Sequence, residues 1–100
     1  MEHSPQVNEI SINGTLTARE AVRYTPSGLE VFEGTIHHRS ELMEANRARR
    51  LEFDCPVVSY GDTAKMLNRL DLGTEVAARG FIAPRSMKSR RLIVHITEFI

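Results

Sequence analysis

One hundred residues, 41% hydrophobic and 26% charged, suit one folded domain and exclude a chain disordered throughout, which needs fewer apolar residues and more net charge. Thirteen basic residues balance thirteen acidic ones, so bulk charge names no partner and only its distribution is informative. Cys55 stands alone, which excludes an intramolecular disulfide, and no apolar run is long enough to span a bilayer.

The start, Met1-Glu2-His3-Ser4-Pro5-Gln6, has neither the basic nor the apolar region of an export signal, so the expected location is cytoplasmic. On that reading Asn13-Gly14-Thr15 matches a glycosylation pattern by accident. From Asn8 the residues alternate. Ile10, Ile12, Gly14 and Leu16 fall on one face, and Glu9, Ser11, Asn13, Thr15 and Thr17 on the other, which predicts a half-buried strand to about Val22. Thr25-Pro26-Ser27-Gly28 is a turn, with Pro presetting one backbone angle and Gly supplying a positive one.

Leu29 to Arg39 is the second expected strand, with Gly34 marking a bulge or sharp coiling. Glu41 to Arg50 is polar with scattered apolar residues and reads as a loop or a frayed helical turn. Leu51, Phe53, Cys55 and Val57 alternate with Glu52 and Asp54, a third strand in which Pro56 requires an edge or a bulge. Asp62 or Thr63 caps one helix, whose buried face is expected at Met66, Leu67 and Leu70, and which ends at Asp71-Leu72-Gly73. A fourth strand follows from about Glu75 to Ala83, with Val76, Ala78, Gly80 and Ile82 on one face. Pro84 to Arg91 is a loop, and Leu92 to Ile100 a fifth strand rich in Ile and Val.

The expected fold is therefore all-β: a five-stranded Greek-key OB-fold barrel with one short helix between strands three and four, residues 1–100 forming a single OB domain. Such barrels commonly bind oligonucleotides or oligosaccharides, although fold alone does not assign function.

Enzyme signatures are missing. The chain has no phosphate-binding glycine loop, no H-E-x-x-H, no paired cysteines and no G-x-S-x-G, so neither catalytic residues nor a cofactor are expected. His37, His38, His95 and Cys55 do not make a metal site, because neighbours on a strand point to opposite faces. Cys55 reads as a small core residue. Glu30, Glu33, Glu52 and Asp54 read as solvent-facing strand positions.

Charge is unevenly spread. Between Val76 and Thr97 lie Arg79, Arg85, Lys88, Arg90 and Arg91 with no acidic residue, and a second cluster comprises Arg39, Arg47, Arg49 and Arg50. In an OB barrel the loops carrying them border one groove. Arginine's planar fork suits phosphates and stacks on bases. This pattern points to single-stranded nucleic acid. Phe32, Phe53 and Phe99 are expected in the core, Tyr24 and Phe81 on the outside as stacking candidates, and Tyr60 fits either place. A dimeric adaptor that turns its basic face to an acidic protein, or an RNA-binding OB domain, fits the same features.

Thr25-Pro26-Ser27-Gly28, Ile36-His37-His38-Arg39-Ser40, Cys55-Pro56-Val57 and Arg79-Gly80-Phe81-Ile82 together resemble primosomal replication protein N, the PriB family of bacterial replication-restart factors. The resemblance runs in order along essentially the whole chain. It implies a homodimer of OB folds related to single-stranded DNA-binding protein, acting on single-stranded DNA with the primosomal helicase and other primosome proteins to reload the replicative helicase. It also implies pairing through the first strand, at Ile10, Ser11, Ile12, Asn13 and Thr15. The chain departs from better-known relatives in lacking aromatics from Glu41 to Glu52, so no stacking role transfers to that segment.

Overall fold

In the computed structural model, which describes residues 5–100, the alternation read from Asn8 forms β1 (Ile10–Arg19) with Ile12, Gly14 and Leu16 turned inward. Met1–Ser4, on which the reading of the start largely rests, lie outside the described residues. β1 ends at Arg19 rather than Val22, and Arg23–Tyr24 form a separate short strand, β2. The expected turn follows, closed by a hydrogen bond from Gly28 N to the Thr25 carbonyl (2.9 Å), with Gly28 at φ 92°. β3 (Glu30–Glu44) and β4 (Arg47–Tyr60) are next, then α1 (Asp62–Arg69), β5 (Glu75–Pro84) and β6 (Leu92–Phe99).

The strands run β1-β5-β6-β4-β3-β2, and β1 also pairs with β3, which closes a barrel. All pairings are antiparallel except β4 with β6. The result is the OB barrel, with β2 added beside β3 and the helix between the third and fourth barrel strands. β1 serves two neighbours, β5 through Ile10–Thr15 and β3 through Thr15–Arg19. Gly14 sits at the changeover, where a Cβ would come within 2.6 Å of the Ile36 side chain and 2.9 Å of the His37 carbonyl carbon. Only glycine lets the strands cross so closely.

The core gathers Ile12, Leu16, Phe32, Ile36, Val57, Val76, Ala78, Val94 and Ile96 from all five barrel strands, with Ala64 and Leu67 of α1 closing one end. Cys55 is buried there as read, and burial pushes its thiol pKa up, keeping it protonated. The last turn of α1 is held by Arg19, whose guanidinium donates to the carbonyls of Leu67 (3.2 Å) and Leu70. A cation is favourable at that negative end of the helix dipole.

Five local expectations are corrected. Glu41–Arg50 is neither loop nor helix: β3 and β4 continue as a two-stranded arm, paired from Val31↔Tyr60 out to Glu44↔Arg47. The arm turns on Ala45 (φ 52°) and Asn46 (φ 64°), the backbone of a two-residue hairpin turn without the glycine that usually signals it. Phe53 lies on this arm and is exposed rather than in the core. The register shift expected at Gly34 occurs across the ladder in β1, between Leu16 and Ala18. Gly34 is instead a close-approach site, where a Cβ would lie 2.8 Å from the Phe32 ring.

In α1 the buried residues are Ala64 and Leu67, while Met66 is exposed. Neither Asp62 nor Thr63 caps the helix. Gly61 is the N-cap, and the Thr63 hydroxyl donates to the Thr97 carbonyl. Pro56 does sit at an edge: β4 pairs with β6 only at Val57 and Val58.

Candidate nucleic-acid interface

In β5 the inward positions Val76, Ala78 and Gly80 leave Phe81 outward, as its phase predicts. Phe81 pairs with His95 of β6, His95 with Val58 of β4, and Val58 with Glu33 of β3. Residues directly opposite across strands point to the same side, so this row crosses the outer face of the barrel. The Phe81 and His95 rings are stacked, centroids 4.8 Å apart and 11° from parallel, and Tyr60 continues the series 6.3 Å beyond His95. Val31, Val58 and Ile93 form a small buried apolar cluster of their own in this part of the sheet. Burial lowers the His95 pKa, which favours the neutral ring. The sequence marks His95 only as an unpromising metal ligand and fits Tyr60 to either the core or the surface. Their outward phase follows from the inward alternation of Val94 and Ile96, and of Val57 and Ser59.

The loop from Pro84 to Arg91 borders this face, closed at its base by Arg85 N to the Arg91 carbonyl (3.1 Å). Its residues differ in availability. Among the described residues Lys88, Arg90 and Arg91 have no acidic partner, whereas Arg85 folds back onto Glu33. Arg79 is held by Glu98 at 2.9 Å. Glu33 is not solvent-facing, as read, but 7% exposed.

The second arginine cluster is corrected in both place and charge. Arg39 pairs with Glu52 (2.9 Å), Arg49 with Glu44 and Arg50 with Glu41 (3.6 Å). All lie along the arm, so only Arg47 is without an acidic partner there among the described residues. Tyr24 is 63% exposed but lies opposite Glu30, whose carboxylate accepts from Asn68 of α1 at 2.8 Å. Strand alternation thus turns Tyr24 away from the aromatic row. Its neighbour Arg23, opposite Val31, faces the row instead and was missed.

Residues 8–98 match a family described as "Another single-strand binding protein family". The replication restart protein PriB of Nitrosomonas europaea is 35% identical over 97 residues, 97% of this chain and 90% of that one. The chain belongs to the PriB family. PriB of Bordetella pertussis is 34% identical over 92 residues, covering 92% of this chain and 86% of its own. The structure of PriB from Ralstonia solanacearum superposes with a TM-score of 0.85 at 33% identity, covering 95% of this chain and 97% of that one. The single-stranded DNA binding protein of Thermus aquaticus superposes at 0.71 and 26% identity, over 93% of this chain and 48% of that one.

In this PriB-family chain, Ile10, Ser11, Ile12, Asn13 and Thr15 all pair with β5. Only Thr15 among them also pairs with β3, so the opposite edge of residues 10–14 carries no strand among the described residues. The Ile12 side chain is core, which leaves that residue only its backbone for any pairing. His38 and His37 leave β3 on opposite sides. His38 reaches the Asn13 carbonyl through Nδ1 (2.7 Å), while His37 lies between two carboxylates, Nδ1 2.7 Å from Asp54 and Nε2 2.7 Å from Glu52.

Both His37 nitrogens face carboxylate oxygens, an arrangement that favours the doubly protonated ring, which can donate to both. The hydrogen bond to Asp54 and then that to Glu52 raise its pKa above the ordinary histidine value. Arg39 first, and His37 second, hold the Glu52 carboxyl below its usual range. The signs are opposite. The His37 contribution is complete below the unfolded histidine pKa and is lost as pH rises through the raised value, whereas that of Glu52 is lost as pH falls through its lowered value. The His37 imidazole should titrate above free histidine in an NMR pH series, and Asp54→Asn with Glu52→Gln should return it to the ordinary value. An unshifted titration in the parent chain contradicts the clamp.

Proposed function

We propose that this chain is a non-enzymatic, single-stranded-DNA-binding component of replication restart. The observation that carries this reading is the stacked row Phe81–His95–Tyr60 on the outer face, bordered by a loop whose Lys88, Arg90 and Arg91 have no acidic partner among the described residues. The two features divide the work: the cations hold the phosphate backbone and the rings stack on bases, a sequence-tolerant mode of binding. The relatives named replication restart proteins support the cellular role. The primosomal helicase and other primosome proteins are the partners this reading assigns.

The reading also includes a homodimer joined through the open edge of residues 10–14, since an exposed strand edge is a template for pairing with a second copy. A second reading, the adaptor, is favoured by the arm alone. Three of its four arginines, Arg39, Arg49 and Arg50, are already ion-paired, while Leu42 and Met43 near its tip are 54% and 69% exposed. That surface suits a protein better than a phosphate backbone.

Phe81→Ala tests the main reading. Losing one stacked base costs about 1–3 kcal/mol, so affinity for an unstructured DNA oligonucleotide should fall roughly 5- to 150-fold. The salt dependence should not change, because stacking releases no counterions. Preference for a matched RNA oligonucleotide would move the function to RNA. No binding of the parent chain even at low salt would leave the adaptor reading in its place.

A further inference from the structure

We propose that Arg23 and Arg85 form a two-arginine site for a nucleic-acid phosphate on the outer face, and that Glu33 occupies this site and holds it closed. The inference rests on the single-stranded-DNA reading above. Glu33 belongs to the same cross-strand row as Phe81 and His95. With strands about 4.8 Å apart, it lies about 10 Å from His95, two strands away. Its carboxylate is divided between the two arginines. Oε1 accepts from Arg23 Nη2 at 2.8 Å, and Oε2 meets Arg85 Nη2.

The arginines come from opposite sides of the face, Arg23 from β2 and Arg85 from the base of the basic loop. Both stay about half exposed, at 51% and 59%, while the Glu33 side chain is 8% exposed. A buried monoanion with each oxygen held by a separate guanidinium is an arrangement that also suits a phosphodiester, which likewise offers two oxygens and one negative charge. A backbone phosphate can therefore replace Glu33 between the arginines, but only by leaving a poorly solvated carboxylate without partners. Glu33 thus raises the threshold for capturing DNA, and Arg85 contributes little until Glu33 is displaced.

Glu33→Gln tests this closely. Glutamine keeps the shape and accepts one guanidinium through its oxygen, but its NH2 group cannot accept the other, which is released. Affinity for an unstructured DNA oligonucleotide at low salt should rise at least several-fold. The slope of log K against log salt should steepen by about 0.7 per phosphate gained. Adding Arg85→Ala to Glu33→Gln should remove the larger part of the gain.

A folded Glu33→Gln variant that binds no better than the parent, while the parent binds, overturns the closed site and leaves the DNA reading standing. Binding by Glu33→Gln when the parent does not bind supports it. Binding by neither sinks both. If Glu33→Gln does not fold, Glu33→Asp decides: its shorter side chain cannot span both guanidiniums, so a several-fold gain in affinity is the expected result, and affinity no better than the parent's overturns the proposal.

Discussion

Replacing Lys88, Arg90 and Arg91 together by alanine is expected to weaken single-stranded DNA binding and to flatten its salt dependence. At roughly 0.7 per phosphate contact, the slope of log K against log salt should lose about 2, which at 50 mM salt is on the order of a 10²- to 10³-fold loss of affinity, vanishing towards 1 M. The size of the effect follows from what these cations lack. None has an acidic partner among the described residues, whereas Arg39, Arg49, Arg50, Arg79 and Arg85 are each paired with a glutamate. The same exchange at Arg39, Arg49 and Arg50 should cost much less, because a phosphate must compete there with a resident carboxylate. A salt titration of both triple variants separates the two regions. Equal flattening by the arm variant would place the backbone track along the ribbon instead.

Phe32→Ala should lower the stability of the fold by about 3–5 kcal/mol, a large share of the roughly 5–15 kcal/mol available to a domain of this kind. Phe32 is fully buried in the core cluster with Leu16, Ile36 and Val57, and its ring lies against Gly34. Neither neighbourhood can collapse to fill the space. Gly34 has no side chain to move, and β3 is held by a continuous ladder to β4 through Phe32↔Ser59 and, on its other side, by pairing with β1 from Gly34 to His37 and with β2 at Glu30 and Val31. Urea unfolding monitored by circular dichroism reads the change directly, and Phe32→Leu, which leaves a smaller cavity, should cost less. A loss below about 1 kcal/mol for Phe32→Ala would show that the barrel does not close around this ring.

Much of the architecture was legible because it is written in short-range pattern. Inward positions Ile12, Leu16, Val76 and Ala78 recur every second residue, and that same phase turned Phe81 outward. The turn at Thr25–Gly28, the loop Pro84–Arg91 and the helix between the third and fourth barrel strands all follow from residues within a few positions of each other. The arm did not. Its turn uses Ala45 and Asn46 at positive φ, where glycine would have announced a hairpin, and its polar flanks read as loop. Helical spacing puts Met66 on the buried face beside Leu67, yet that face is completed by Ala64 instead, and Phe53, in phase with Cys55, is exposed. Its alternation was right, but β3 and β4 run past the barrel.

Charge shows the division most clearly. The order of residues along the chain establishes that arginines gather in two places, and the resemblance to the PriB family set the expectation of a DNA-binding face. Which arginines remain available depends on partners across the sheet. Glu52 opposite Arg39 and Glu41 opposite Arg50 are products of strand register, and Glu33 between Arg23 and Arg85 requires β2, β3 and the end of β5 to meet on one face. Strand phase is set by each residue's nearest neighbours along the chain, so it can be read locally. Ion pairing and stacking are set by barrel closure, which brings distant residues within 3 to 5 Å of one another, and only the folded chain assigns them.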